Sequence, residues 1–373
     1  MFIYQRPDWP NFHWNTEQIV SALAAVRHKQ GRLLGYMAAL GFSLQSEAAL
    51  QTLTLDVLKT SEIEGELLDV EQVRSSVARR LGIGTFGLIP ADREVEGIVE
   101  MLHDATQQYN QPLTDERLFG WHSALFPTGR SGMQRITVGE WRTHEAGPMQ
   151  VLSGALGRER IHFQAPHASV LPTEMHRFLN WFNSDLSQDP VLKAAIAHLW
   201  FITIHPFDDG NGRIARAIAD WQLARADNCP QRFYSLSAQI RLERSTYYDM
   251  LERTQRGDLN ITGWLNWFLA CLDRALTTAD TTLASVLRKA RYWDWLNTPP
   301  RAAQLNDRQR LMLNKLLDGF DGKLTTSKWA KIAKCSQDTA LRDIQQLVES
   351  GILSKEEAGG RSTSYGLKDG INF

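Results

Sequence analysis

A polar stretch, ITIHPFDDGNGRIAR, spans residues 202–216 and constrains the fold more than any other feature of the chain. It follows the apolar run AAIAHLWFI, which starts at Ala194 and is typical of a buried helix. Because proline, glycine and aspartate interrupt helices, we expect this helix to end at about Ile204 and a second one to begin at Arg213. The fold must therefore hold a strongly polar loop, 205–212, between two packed helices.

Helical periodicity dominates the rest of the chain, and strand-like alternation is scarce. Amphipathic segments at 17–40, 46–66 and 69–82 predict three helices near the N-terminus. Two short runs, Met149–Leu152 and Arg160–Phe163, flank glycines and predict the only good β-hairpin of the chain. The sequence thus predicts a mainly α fold.

A change of pattern marks a boundary near the C-terminus. The segment NTPP at 297–300 ends a long helix. After it come a helix, a short helix TSKWAKIAK, a turn at CSQD, a longer helix and two short strands, which is the order of a winged helix-turn-helix. We predict a helical domain at 1–90, a catalytic core at 91–280, a helical linker at 281–300 and a winged helix-turn-helix domain at 301–373.

Composition limits the compartment and the partners. The formal net charge of -1 provides no overall attraction to nucleic acid or to an anionic membrane. The three cysteines lie far apart and lack metal-site spacing, which suits a reducing compartment. The N-terminus lacks a signal-peptide pattern, and no apolar run is long enough to cross a bilayer. We expect a soluble cytoplasmic protein with no membrane partner.

The second half of the polar stretch has the chemistry of a phosphate site. A helix N-terminus offers unpaired N–H groups and a partial positive charge to an anion. Gly210 and Gly212 allow the backbone to approach that anion closely. Arg213 and Arg216 lie three positions apart on one helix face, so both guanidinium groups can reach phosphate oxygens.

The first half of the stretch adds groups for catalysis. His205 has an ordinary pKa suited to proton abstraction near neutrality. Asp209 offers the hard oxygen ligand that Mg²⁺ prefers beside substrate phosphates. Pro206 and Asp208 are interpreted as turn residues, and Phe207 as an inward-facing anchor. The pattern therefore favours transfer of a phosphate-bearing group to a nucleophile over an ordinary tight turn.

The stretch resembles the signature of the Fic family, H-x-F-x-[DE]-G-N-G-R-x-x-R. The matching residues are His205, Phe207, Asp209, Gly210, Asn211, Gly212, Arg213 and Arg216. The resemblance implies an all-helical Fic core with a small β-hairpin flap, preceded by the helical domain and followed by the winged helix. It also implies transfer of AMP from ATP to a Ser, Thr or Tyr hydroxyl of a target protein, with release of pyrophosphate.

Roles for the loop residues follow from the same resemblance. His205 is expected to deprotonate the target hydroxyl, and Asp209 is expected to hold Mg²⁺ between the α- and β-phosphates. Asn211 is expected to cradle the α-phosphate together with the amides of the two glycines beside it. The two arginines are expected to bind the β- and γ-phosphates.

The predicted hairpin resembles the flap by which Fic proteins align an extended target segment as an added strand. The flap maps onto residues 149–153 and 161–164. The candidate docking residues are Met149, Val151, Ile161 and Phe163. An ordinary structural hairpin is the alternative.

A second family motif lies upstream, in TSEIEGE at 60–66. The residues that match the inhibitory pattern [ST]-x-x-x-E-[GN] are Thr60, Glu64 and Gly65. A carboxylate at Glu64 would pair with Arg216 and occupy the space of the γ-phosphate, so that ATP could not bind productively. We expect Glu64 to inhibit the enzyme, and we expect Glu66 to be solvated.

Other functions are open at this stage. The same loop suits UMP transfer, phosphocholine transfer or AMP removal, and a further alternative is a nucleotide-sensing transcription regulator. For the winged helix, DNA binding competes with protein docking or stabilisation of a homodimer. Its candidate DNA contacts are Lys328, Lys331, Lys334, Arg342 and, in the wing, Arg361. Acidic residues that include Asp343 share the second helix and argue against DNA.

Overall fold

The computed structural model describes most of the chain and divides it into two compact units, Met1–Asp280 and Thr281–Phe373. The described residues are 1–40, 42–83, 88–144, 147–153, 158, 160–184, 188–297, 305–317, 319–320, 322–356 and 363–368. The fold is mainly helical, as predicted. None of the helices in these ranges combines the length and the apolar composition that crossing a bilayer requires.

The first unit begins with a short 3-10 turn and three helices that agree with the predicted segments. They are α1 (Thr16–Ala38), α2 (Phe42–Glu64) and α3 (Val70–Arg80). The Asn15 side chain accepts backbone N–H bonds at the start of α1, and Asp69 does the same for α3. α2 ends at Glu64 because Gly65 takes the left-handed conformation, with φ 91°.

Eight further helices build the rest of this unit in the described ranges. They are α4 (Arg93–Gln107), α5 (Asp115–Leu125), α6 (Leu171–Asn183), α7 (Pro190–Ile204), α8 (Asn211–Asp227), α9 (Leu236–Leu242), α10 (Arg244–Gln255) and α11 (Thr262–Asn297), whose C-terminal part belongs to the second unit. α7 is apolar all round and buried from Val191 onward, and it packs against α8. α7 ends at Ile204 as predicted, whereas α8 begins at Asn211 and not at Arg213.

Two antiparallel strand pairs accompany these helices. The predicted hairpin consists of β3 (Gln150–Ser153) and β4 (Arg160–Gln164), with a register shift between Val151 and Leu152. A second pair, β1 (Arg130–Ser131) with β2 (Gln134–Arg135), shows that the prediction of a single good hairpin outside the winged helix was wrong. Strands of two residues are too short to show alternation in a sequence.

A buried polar network ties α2 to α8 and to the start of α9. Arg232 lies 3.3 Å from Asp220 and 3.1 Å from Asp227, and all three side chains are at most 3% exposed. Asp56 of α2 accepts a hydrogen bond from Ser235, the N-cap of α9. Burial and the nearby charge of Asp220 raise the pKa of Asp56 well above its ordinary value. The body of α2 is therefore fixed to the core upstream of Glu64.

The second unit has the predicted element order of a winged helix. Its elements after α11 are α12 (Asp307–Leu317), α13 (Thr326–Ile332), α14 (Gln337–Glu349), β5 (Leu353–Lys355) and β6 (Tyr365–Leu367). Trp329 is fully buried in its core. Asp343 is buried and accepts bonds from Arg308 and Asn306, so it is not a free surface charge that would repel DNA. Arg361, the predicted wing contact, lies outside the described residues.

Candidate active site

The loop between α7 and α8 is held by two left-handed residues. His205 ends α7 with φ 53° and ψ 59°, and Gly210 precedes α8 with φ 79°. A Cβ atom at position 210 would approach Phe126 Cε2 at 2.9 Å. Gly210 is therefore required both by its backbone conformation and by the ring packed against it.

Side-chain hydrogen bonds and one buried aromatic ring hold this loop in place. Asn211 accepts the Phe207 N–H at 3.0 Å and donates to the Phe207 carbonyl at 2.8 Å. Phe207 is fully buried, as predicted, and Asp208 accepts the N–H of Thr137 at 2.9 Å. The Asn211 side chain thus shapes the loop here, and its predicted contact with the α-phosphate stays a prediction.

His205 has the protonation state that a general base requires. Its Nδ1 lies 3.2 Å from the carbonyl oxygen of Ile202, so we assign the proton to Nδ1 and the free lone pair to Nε2. Burial lowers the pKa of His205 to about 4, although the bond to Ile202 opposes the shift. Arg142 donates to the His205 carbonyl at 2.8 Å and fixes the backbone at this position. The imidazole is therefore neutral at physiological pH.

His122 of α5 supports the loop from the other side, and the sequence offers no signal for it. Its Nδ1 accepts the N–H of Gly139 at 3.2 Å, so its Nε2 donates to the Asp209 carbonyl at 3.2 Å. The ring stacks on Phe207 with centroids 4.2 Å apart, and burial lowers the pKa of His122 to about 4. A neutral His122 orients the backbone of Asp209.

Asp209 offers the carboxylate predicted for Mg²⁺. One of its oxygens accepts the N–H of Gly210 at 2.5 Å, and the other accepts the hydroxyl of Ser131 on β1. No cluster of three or more His, Cys, Asp or Glu side chains suited to a metal occurs in the described part of the chain. A single carboxylate fits Mg²⁺, because this ion usually takes one or two protein carboxylates and substrate phosphates.

Arg216 is enclosed by the last turn of α2. Its Nη2 donates to Glu64 Oε1 at 2.7 Å and to the Thr60 carbonyl at 3.0 Å, and its Nε donates to Thr60 Oγ1 at 2.7 Å. The Arg216 side chain is 1% exposed, while that of Glu64 is 29% exposed. The structure therefore brings together the two predicted inhibitory side chains and the second arginine of the motif.

The Glu64 carboxylate also lies against the loop backbone. A Cβ atom at Gly212 would collide with Glu64 Oε1, so only glycine leaves room for this approach. Tyr248 of α10 contacts the other carboxylate oxygen at 3.5 Å. Glu64 thus lies where the resemblance predicts phosphate.

Arg213 has a carboxylate partner of its own, Glu66, which is exposed as expected but forms a contact that the sequence did not predict. Arg213 Nη1 lies 2.7 Å from Glu66 Oε2, with side chains 3% and 47% exposed. The turn at Gly65 makes this contact possible, and the Glu66 N–H donates to the Ser61 carbonyl at 3.0 Å. Partial burial raises the pKa of Glu66, and the charge of Arg213 opposes this shift.

Part of this site faces one cavity of about 550 Å³, and neither Arg213 nor Arg216 belongs to its wall. Its wall includes Glu64, His205, the loop from Asp208 to Gly212, residues 149–153 of the flap region and part of α10. Its volume lies within the usual range for sites that bind small molecules.

The predicted docking residues of the flap divide into two groups. Val151 and Ile161 are 36% and 43% exposed, and Met149 lies at the cavity wall just before β3. Phe163 is only 2% exposed and packs edge-on against Phe2, with ring centroids 5.1 Å apart. Phe163 is therefore largely buried, although it borders the cavity, and its docking of a target stays a prediction.

Comparisons with known proteins agree with this geometry. Residues 112–223 match the model of the Fic/DOC family, and residues 2–83 match a domain of unknown function, DUF4172. The protein adenylyltransferase Fic of Drosophila willistoni is 34% identical over 113 residues, which are 30% of this chain and 21% of that protein. The protein adenylyltransferase fic-1 of Caenorhabditis elegans is 28% identical over 211 residues, 56% of this chain and 38% of that protein.

The chain thus spans well under half the length of these curated relatives. Among solved structures, a Fic family protein from Desulfovibrio desulfuricans matches with a TM-score of 0.54 and 19% identity, over 97% of this chain and 99% of that one. This likeness shows the fold. The Fic/DOC family model thus matches residues 112–223, less than half of the chain, and the fold of the chain resembles that of a Fic family protein.

Proposed function

We propose that this protein is an adenylyltransferase that moves AMP from ATP to a Ser, Thr or Tyr hydroxyl of a target protein. The observation that carries the proposal is a neutral His205 that lines one cavity together with Asp209, Gly210 and Gly212, at the start of the helix that carries the two arginines. The names of the curated relatives support the same activity.

In the proposed reaction the target hydroxyl oxygen attacks the α-phosphorus of ATP. His205 Nε2 takes the hydroxyl proton as the new P–O bond forms. The bond from the α-phosphorus to the bridging oxygen breaks, and pyrophosphate leaves. Arg213 and Arg216 would bind the β- and γ-phosphates and stabilise the departing charge. Asp209 would hold Mg²⁺, which would supply positive charge beside the phosphates of ATP.

We further propose that the wild type is autoinhibited. The Glu64 carboxylate bonds to Arg216 and lies against Gly212, so it competes with a phosphate for the same donors and space. Basal transfer is therefore expected to be low. Whether Glu64 also orients water for AMP removal is a separate proposal.

The test measures transfer of radioactive AMP by purified variants to themselves and to proteins of a cell lysate. Glu64→Gly should label lysate proteins strongly, and Glu64→Gly combined with His205→Ala should not label them. Glu62→Gly is the matched control, because Glu62 lies in the same helical turn and pairs with Lys59 at 2.6 Å. If Glu64→Gly labels no better than Glu62→Gly, autoinhibition by Glu64 is wrong.

Nucleotide choice separates the proposed activity from its rivals. Intact mass of the Glu64→Gly protein and of its targets after incubation with ATP or with UTP should show an added AMP and no UMP. An added UMP would favour the alternative uridylyl transfer. Loss of AMP from pre-modified protein would favour removal.

The proposal also includes the partners of the protein and its division into domains. We propose target proteins and ATP as partners, a homodimer as an additional assembly, and the four-part division given above. DNA binding by the winged helix predicts a gel shift whose midpoint moves to higher protein concentration as salt rises. A salt-independent shift, or none, favours a protein-docking role.

A further inference from the structure

A second group of reactive side chains faces the same cavity, and the proposed transfer does not use it. Ser153 lies at the end of β3, His162 lies on β4, and Glu252 lies on α10. Ser153 Oγ is 2.5 Å from His162 Nε2, and His162 Nδ1 is 2.6 Å from Glu252 Oε2. All three residues belong to the cavity wall that also includes His205 and Gly212.

The charges around Glu252 determine where the protons lie. Burial raises the pKa of Glu252, but hydrogen bonds from His162 and Arg160 outweigh burial and leave it below its ordinary value. Arg160 Nη2 lies 3.0 Å and Arg256 Nε lies 3.2 Å from this carboxylate. An ionised Glu252 accepts only, so Nδ1 of His162 donates to it. The lone pair on Nε2 then accepts the hydroxyl of Ser153.

This order of hydroxyl, imidazole and carboxylate is that of an activated nucleophile. Ser153 is exposed, and the His162 and Glu252 side chains are 28% and 16% exposed, so the base is partly shielded while its serine is accessible. The hydroxyl can reach a bound electrophile, and the imidazole can receive its proton.

A nearby serine–histidine pair lacks these features. Ser169 Oγ lies 2.8 Å from His167 Nδ1, but His167 has no carboxylate contact among the described residues, and neither residue lines the cavity. Of these two pairs, only Ser153–His162 combines an oriented base with access to the cavity. Ser169 provides a matched control.

We propose that Ser153 is a modification site that accepts AMP from ATP bound in the same cavity of the same molecule. Ser153 Oγ attacks the α-phosphorus, His162 Nε2 takes its proton, the bond to the bridging oxygen breaks, and pyrophosphate leaves. Glu252 stabilises the imidazolium that forms. This inference rests on the proposed function, because it needs ATP in the cavity.

The product would also have a regulatory consequence. Ser153 belongs to the strand that the flap proposal offers to a target, so an AMP group there would fill the cavity beside that strand. Modification of Ser153 and docking of a target are then mutually exclusive.

The experiment is peptide mapping by mass spectrometry of the full-length Glu64→Gly protein after incubation with ATP and Mg²⁺. The peptide containing Ser153 should carry one AMP group. The modified fraction should be absent in Ser153→Ala, at least tenfold lower in His162→Gln and in Glu252→Gln, and unchanged in Ser169→Ala, all made in the Glu64→Gly background. Circular dichroism checks that each variant is folded.

Three results would overturn the inference. AMP found on other residues, with Ser153 unmodified, excludes Ser153 as acceptor while the proposed function stands. Equal modification of Ser153 in His162→Gln excludes activation by His162. Absence of AMP on every protein in the assay, including lysate proteins, would refute the proposed function and this inference together.

Discussion

Two arginine–glutamate pairs lie one helical turn apart on α8, and their surroundings differ. Arg216 is enclosed by both Glu64 and Thr60, whereas Arg213 has one carboxylate contact, with Glu66, whose side chain is 47% exposed, and lies over the Phe126 ring. Charge pairs that are shielded from water resist salt and are costly to break from one side, whereas exposed pairs contribute little. The comparison predicts that Glu64 provides most of the proposed inhibition and that Glu66 adds a weaker part.

The largest expected effect is on Arg216 itself. In the active Glu64→Gly background, Arg216→Ala should lower the rate of AMP transfer by about 100-fold, because one charge-assisted donor to the transferring phosphates is lost. Transfer rates at saturating ATP, with ATP affinity measured in parallel, test this expectation. A loss below about threefold would show that Arg216 serves only to hold Glu64.

The next effect concerns Thr60, which is fully buried. Thr60→Val keeps the shape but removes the acceptor for Arg216 Nε, so unfolding free energy should fall by about 1–3 kcal/mol. Urea unfolding followed by circular dichroism measures this change. Thr52→Val is a suitable control, since Thr52 is buried on the same helix without a contact to Arg216. Equal losses of unfolding free energy in both variants would contradict a stabilising role of the Thr60 contact with Arg216.

Glu66→Gln should raise basal transfer only slightly, about two- to fivefold on the scale of an exposed pair worth up to 1 kcal/mol. Salt should raise wild-type transfer in the same direction, because the Glu66 pair is the more exposed of the two. The transfer rates of the wild type and of Glu66→Gln should differ at low salt and become similar at high salt. A Glu66→Gln variant as active as Glu64→Gly would reverse the ranking of the two pairs.

The smallest effect is a pH dependence of the Glu66 contact. Because the pKa of Glu66 is raised, its carboxylate gains a proton at a higher pH than an ordinary glutamate, and the ion pair is lost as pH falls through that value. His205 remains a base in this window, since its pKa is about 4. The ratio of Glu66→Gln to wild-type activity should therefore fall toward one on mild acidification. A constant ratio would contradict the assignment.

Local features of the site could be predicted from the sequence, because the residues that form the loop are adjacent in the chain. Proline and glycine after the apolar run predict the end of α7. The three-residue spacing of the arginines predicts that they share one helix face. The Glu64–Arg216 contact spans 152 positions and was predicted only through the family motif. The Glu66–Arg213 contact, which depends on the reversal of the chain at Gly65, was predicted by no pattern.

The features that the sequence did not reveal have a common physical cause. Alternation along a hairpin does not reveal which face another segment covers, and Phe163 is covered by Phe2 from the chain start. His122 and Arg142 act on the loop through tertiary contacts, and their own surroundings in the sequence are ordinary. Such contacts become visible only when the helices are packed.

Gly65 is the residue on which both glutamates depend. Because Asp56 fixes the body of α2 and Gly65 reverses the chain after it, Glu64 and Glu66 are carried by one short segment. Opening of that segment would free both arginines in a single step of local unfolding. Basal activity relative to Glu64→Gly then measures the fraction of molecules in the open state, with about 1.4 kcal/mol for each factor of ten. A partner that binds the open segment would activate the enzyme in proportion to its preference for that state.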